Sequence, residues 1–134
     1  MCNHLHENSK PIPKSGIGWK LFVLSSNGQL GSIFGIRSIY QKVGRSKYIT
    51  WNFYSSYVGV GDGFCFFTTK KEAENLLHDL HKDRFYGNVI LVKIFYQGGM
   101  GEHKENSITS RRSYETALCK KFKLHEDENN KYSF

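Results

Sequence analysis

Long hydrophobic runs are missing from this sequence of 134 residues. The longest apolar stretches are too short to cross a bilayer. The N-terminal segment "MCNHLHENSKPIPKSG" has no hydrophobic region of the kind that a secretory leader needs. We therefore expect a cytoplasmic protein that does not engage a membrane.

Cysteine is also scarce, since the chain contains only Cys2, Cys65 and Cys119. An odd number of widely spaced cysteines is not the disulfide framework of a small secreted domain, so we expect reduced thiols. Paired ligand motifs of the C-x2-C kind, which are typical of structural zinc sites, are absent too. The weak metal candidates are Cys2, His4 and His6, which would project to one side of an extended chain. We expect no bound metal.

Acidic residues are fewer than basic ones, with 12 Asp and Glu against 19 Lys and Arg and a net charge of +7. This balance permits an acidic protein or a nucleic acid as partner. The cations concentrate in residues 36–47 and 111–123, and aromatic side chains surround the first cluster. Cations beside aromatic rings suit the binding of single strands. The alternative is a solvated face above core aromatics. The predicted binding residues are Arg37, Lys42, Arg45, Lys47, Trp51, Arg111 and Arg112.

The material for one packed core is present, because 39% of the residues are hydrophobic and 15% are aromatic. The length fits a single domain. Residues 1–18, with two prolines and no periodicity, are typical of an extended N-terminal arm. Residues 19–124 form the predicted domain, and residues 125–134 an acidic C-terminal tail.

A single helix is predicted over residues 69–82. Thr69 followed by Glu72 matches a capping box, in which each side chain bonds the backbone N–H of the other residue. An apolar stripe with helical spacing follows, with Leu77 at its centre, which favours packing of one helix face on a sheet. The stripe consists of Ala73, Leu76, Leu77 and Leu80.

Strand-forming runs occupy most of the remaining domain. They cover residues 19–24, 32–40, 47–56, 64–67, 88–96 and 116–124. An Asn-Gly pair after the first run predicts a hairpin. The fold class is therefore α+β, a mainly antiparallel sheet of about six strands with one principal helix.

The stretch "VGVGDGFCFF", residues 58–67, places alternating glycines before a run of aromatic and sulfur side chains. A phosphate cradle needs a helix N-terminus close behind its glycines. In this sequence the predicted helix starts five or more residues later, after hydrophobic residues. The pattern favours a tight turn that leads into a strand buried on both faces.

The order of glycine turn, strand, capped helix and strand over residues 58–98 resembles the ADP-ribosyltransferase fold of poly-ADP-ribose polymerases, where G-x-G-x-Y-F leads into a strand and a helix. The resemblance implies NAD as cofactor, with Lys20 on the early strand, Cys65 at a nicotinamide-enclosing position and Glu115 as the late glutamate. Cys65, Ala73 and Leu76 stand where the family has tyrosine, serine and tyrosine. We therefore expect no catalytic residues and no cofactor.

The small, basic, Asn- and Lys-rich chain also resembles proteins of phages and mobile elements, many of which bind and block a host factor. The leading hypothesis is a non-catalytic binding module that acts inside the host cell if the protein is viral. It would engage an acidic protein or a nucleic acid through its basic surface. The alternative is an NAD-dependent ADP-ribosyltransferase-like enzyme.

Overall fold

The computed structural model describes residues 7–24, 30–32, 49–50, 63–83, 88–106 and 113–128. In chain order these contain β1 (Ser15–Leu24), β2 (Leu30–Ser32), β3 (Ile49–Thr50), β4 (Phe64–Phe66), α1 (Lys70–Asp83), β5 (Val89–Asn106), β6 (Ser113–Leu124) and a 3₁₀ helix (Glu126–Glu128). The pairs between these strands are antiparallel. Helix α1 is not long and apolar enough to cross a membrane.

Four strands join edge to edge into a ring. β5 pairs with β1 along one edge and with β6 along the other, and β4 pairs with the far edge of β6. The ring closes where Phe67, directly after β4, meets Trp19 of β1. Their backbones exchange two hydrogen bonds of 2.7 and 2.9 Å. The sheet is therefore a small barrel with an inner and an outer face.

The prediction of about six strands is wrong, because among the described residues the sheet proper has four strands: β1, β4, β5 and β6. β2 and β3 add only three and two residue pairs at its margins. The predicted runs 32–40 and 47–56 lie mostly outside the described residues, and β3, a part of the second run, pairs with β6. β-propensity identifies residues that suit a strand, but the length of a strand depends on a partner edge. The mainly antiparallel sheet and the helix are as predicted.

β5 is about twice as long as the sequence predicts. It spans 18 residues instead of the predicted 88–96 because it continues through three glycines. Gly98 has φ of 67°, in the left-handed region that favours glycine, and the pairing with β6 shifts between Gly99 and Gly101. The glycines that follow the predicted strand therefore form a bulge within β5 and do not end it. β6 is likewise longer at its start than predicted, since it begins at Ser113.

Part of the predicted N-terminal arm packs along β5. Residues 15–18 lie within β1. Lys10 exchanges two backbone hydrogen bonds of 2.8 Å with Glu102. A Cβ atom on Gly99 would lie 2.2 Å from the carbonyl oxygen of Pro13, so glycine is required for this close approach.

Two clusters of buried side chains occupy the two faces of the barrel. The inner cluster receives residues from all four strands: Phe22, Leu30, Phe64, Phe66, Val92, Ile94, Tyr96, Ala117, Cys119, Phe122 and Leu124. The outer cluster lies under α1: Leu21, Cys65, Phe67, Ala73, Leu76, Leu80, Val89, Tyr114 and Leu118. β4 contributes to both clusters, which confirms that this segment is buried on both faces.

Helix α1 begins after Thr69, whose hydroxyl accepts a hydrogen bond of 3.4 Å from the backbone N–H of Glu72. Thr69 is thus the predicted N-cap. The carboxylate of Glu72 accepts a hydrogen bond of 3.2 Å from the backbone N–H of Glu115, which ties the first turn to β6. The centre of the apolar stripe is Leu76, which is fully buried, while Leu77 is half-buried at its margin. The prediction that Leu77 is central is wrong.

Candidate functional site

The outer face of the barrel extends beyond the area under α1 as a grid of three rows. Directly paired residues of neighbouring strands project to the same face. The three rows are Ser15, Gln97 and Lys121; Ile17, Phe95 and Lys123; and Trp19, Lys93 and His125. Trp19 also packs against the cluster under α1, which identifies this face as the outer one. We call these nine residues the outer patch.

Phe95 occupies the centre of the outer patch. Its ring centroid lies 4.6 Å from that of His125, with the planes tilted by 31°. The ammonium of Lys123 lies 5.6 Å from the centroid of the Phe95 ring, within the range of a cation–π contact. Phe95, His125 and Lys123 are all partly exposed. The patch thus presents aromatic surface and positive charge together.

Ile17, beside Phe95 in the middle row, adds apolar surface to the outer patch. Ile17 is 42% exposed, more than any other large hydrophobic residue in the described part of the chain. Lys93 and Lys121, in the two neighbouring rows, are partly exposed. Three lysines therefore surround a ring and an aliphatic side chain that water reaches, an arrangement suited to a partner with both charge and apolar faces.

The acidic segment after β6 folds back beside the outer patch. The carboxylate of Glu128, which is buried, accepts a hydrogen bond of 3.3 Å from the backbone N–H of Lys93. The backbone N–H of Glu128 donates to the carbonyl of His125 at 2.9 Å. The first part of the predicted acidic tail is therefore attached to β5, and residues 129–134 lie outside the described part of the chain.

The binding residues and the metal candidates predicted from the sequence all lie outside the described residues. The binding residues are Arg37, Lys42, Arg45, Lys47, Trp51, Arg111 and Arg112, and the metal candidates are Cys2, His4 and His6. The sequence did contain a signal for the patch. In "VKIFYQ" and "KKFKLH" the cations and Phe95 alternate with core residues, and this period of two places them on one face.

Glu115, the glutamate implied by the enzyme resemblance, lines a groove of about 660 Å³. The groove is lined by Glu7, Asn8, Lys10, Glu102, His103, Lys104 and Glu115. Neither Lys20 nor Cys65 belongs to it. The hydroxyl of Thr68 donates a hydrogen bond to the carboxylate of Glu102. Within the described ranges, no group of three or more His, Cys, Asp or Glu side chains is arranged to hold a metal ion.

Lys20 and Cys65 are both buried, with 2% of each residue exposed. The ammonium of Lys20 donates a hydrogen bond of 2.6 Å to the carbonyl oxygen of Cys65. It also lies 5.7, 6.0 and 5.7 Å from the ring centroids of Phe22, Phe64 and Phe122. This geometry ties β1 to β4 across the barrel interior. The structure does not bring Lys20, Cys65 and Glu115 together in one cleft.

The thiol of Cys119, which lies in the inner cluster, is held in its neutral form. Burial raises the pKa of the Cys119 thiol from 9.0 to about 12, and the nearby Lys20 ammonium opposes part of this rise. Burial also raises the pKa of the Tyr96 hydroxyl in the same interior. A buried thiol with a raised pKa is a poor nucleophile, because the thiolate is the reactive form.

The raised pKa of Cys119 predicts a loss of stability at high pH. The unfolded thiol ionises near its ordinary pKa of 9.0, whereas the folded thiol stays protonated up to about 12. Stability from this group is therefore complete below pH 9.0 and declines as pH rises toward the folded pKa, by up to about 1.4 kcal/mol per pH unit. Urea unfolding between these pH values should show a steeper decline for the native protein than for Cys119→Ala. Equal declines would contradict the prediction.

Comparison with known proteins does not identify a family for this chain. No protein-family model, no curated protein and no solved structure matches the chain.

Proposed function

We propose that this chain is a non-catalytic binding module that engages a polyanionic partner through the outer patch. The observation that supports the proposal is the grouping of Lys93, Lys121 and Lys123 around the partly exposed ring of Phe95. The net charge of +7 favours the same class of partner. If the chain is a phage or mobile-element protein, as its composition suggests, the partner is a host factor.

The lysines of the outer patch are suited to hold anionic groups at a defined place. Each lysine lies on a strand of the barrel, so hydrogen bonds to the neighbouring strands fix the backbone that carries it. Lys93 lies on β5, between β1 and β6, and the other two lie on β6, which pairs with β5. All three lysines are partly exposed, and a lysine side chain can bury its aliphatic stem while its ammonium group stays at the surface, where anionic oxygens can approach it. Charges at fixed positions give register as well as attraction.

Replacement of Lys93, Lys121 and Lys123 together by glutamine should weaken binding to a 12-nucleotide oligo(dT) probe. Each lysine that contacts a phosphate contributes about 0.7 to the slope of log affinity against log salt, so the slope should fall by about 2. The measurement is fluorescence anisotropy over a salt series. Thermal melting of the variant should show that the fold is kept.

The matched control is replacement of Lys70, Lys71 and Lys82 by glutamine. These lysines are exposed on α1, outside the outer patch, and their loss changes net charge by the same amount. The control should keep the native affinity and slope. If both triple variants lose affinity equally, binding follows net charge alone. If the patch variant binds oligo(dT) and polyglutamate as the native protein does, the outer patch is not the binding surface.

A further inference from the structure

We infer that the partner of the outer patch is a single-stranded nucleic acid and that one of its bases stacks on Phe95. This inference rests on the proposed function and adds the chemical class of the partner. It follows from the position of the aromatic ring among the cations, since the lysines by themselves would serve an acidic protein equally well.

The ring of Phe95 gives the outer patch a feature that carboxylate recognition does not use. Base stacking needs a π-face that solvent reaches, with cations near enough to hold the phosphates on either side. Phe95 is partly exposed, and the His125 ring packs against one of its faces, with 4.6 Å between the centroids and 31° between the planes, so the other face of Phe95 is the one that a base would use. The ammonium of Lys123 is 5.6 Å from the same ring. A base on Phe95 therefore places its own phosphate within reach of Lys123.

The form of the surface favours a single strand over a duplex. The outer patch lies on three neighbouring strands, and its rows are about 7 Å apart along each strand. The bases of a duplex are stacked on each other, so their faces are not available to Phe95. In a single strand one base is free to turn onto the ring while Lys93 and Lys121, in the flanking rows, contact the neighbouring phosphates.

A comparison of two probes separates stacking from charge. The first probe is oligo(dT) of about 12 nucleotides, and the second is an oligomer of equal length and charge with abasic sites in place of thymidine. The native protein should bind oligo(dT) about 5- to 150-fold more tightly than the abasic oligomer, because stacking of one base contributes a factor of this size. Phe95→Ala should lose that preference and bind both probes alike.

Phe95→Tyr is the matched variant, since it keeps the π-face, and it should keep the preference for oligo(dT). Phe95→Leu keeps apolar volume without a π-face and should lose the preference. Thermal melting checks the fold of each variant. If Phe95→Ala does not fold, the comparison of Phe95→Leu with Phe95→Tyr on the two probes tests whether the preference depends on the ring.

The outcomes distinguish this inference from the proposed function. If the native protein binds both probes equally and the Lys93, Lys121 and Lys123 variant binds neither, the outer patch binds polyanions without stacking, and the inference is overturned. Tighter binding of polyglutamate than of oligo(dT) would also overturn it, in favour of an acidic protein. A double-stranded probe bound as tightly as oligo(dT) would contradict the preference for a single strand.

Discussion

Replacement of Leu76 by alanine is expected to lower the free energy of unfolding by about 2–5 kcal/mol. Leu76 is fully buried in the cluster under α1 and packs with residues of the barrel's outer face. Truncation removes apolar contacts and leaves a cavity, because a helix held at both ends cannot move far enough to fill the space. Glu72 ties its first turn to β6, and near its other end His81 Nε2 donates a hydrogen bond of 3.0 Å to the carbonyl of Val89 on β5.

Leu77→Ala is the matched control for this prediction. The two residues are neighbours of the same type on one helix, but Leu77 is half-buried at the margin of the cluster. Its truncation should therefore cost clearly less than that of Leu76. Urea unfolding followed by circular dichroism measures both, and equal slopes against urea would show that the unfolded states are comparable. A larger loss for Leu77→Ala would place the centre of the stripe where the sequence predicted it.

The helix shows what sequence patterns can and cannot decide. Spacing of the apolar residues and the Thr69 cap predicted its position closely, because both signals are local. The rotation of the helix about its axis is not local. Leu76 and Leu77 are both in the stripe, and the surface of the barrel, formed by distant strands, determines which of them is fully buried.

The strands show the same limit more strongly. The strand-forming runs predicted where β1, β4, β5 and β6 lie, but the predicted run for β5 stops at residue 96, before the glycines that β5 includes. Gly99 is required there because the carbonyl of Pro13 approaches it, a contact between segments over 80 residues apart that no local pattern reports. Closure of the barrel through Phe67 and Trp19 depends in the same way on pairing between distant strands.

The outer patch is a basic surface with aromatic side chains, but it does not consist of the binding residues predicted from the sequence, which lie outside the described part of the chain. Lys121 and Lys123 belong to the cation cluster of residues 111–123, whereas Lys93 lies on β5, outside both clusters. Only the register between β5 and β6 brings them around Phe95, and register is a property of the folded sheet.

Lys20 shows how closure of the barrel affects the enzyme alternative. On the sequence alone it occupies an early strand, as a cation near a nicotinamide would. In the barrel its side chain points inward, and its ammonium donates to the carbonyl of Cys65 among three phenylalanine rings. An alternating strand gives every second side chain to the interior, and in this protein Lys20 is one of them.

Replacement of Phe66 by alanine is expected to have the largest effect on stability, a loss of about 3–5 kcal/mol. Phe66 is fully buried in the inner cluster, and its ring centroid lies 4.5 Å from that of Tyr96. A Cβ on Gly18 would lie 2.6 Å from the Phe66 ring, so β1 already approaches the ring as closely as glycine allows. The next residue, Phe67, closes the barrel. Loss of the ring therefore weakens the packing between β4 and β1 beside the closure of the barrel.

Thermal melting of Phe66→Ala should show a fall in Tm of roughly 10–20 °C, and Phe66→Leu, which keeps apolar volume, should show a smaller one. Binding provides the second readout. The outer patch lies on β1, β5 and β6, whose mutual pairing does not involve β4. Below its Tm, Phe66→Ala should therefore bind oligo(dT) with the native affinity. An unchanged Tm would show that Phe66 does not support closure of the barrel. A loss of binding by the folded variant would show that the outer patch depends on that closure.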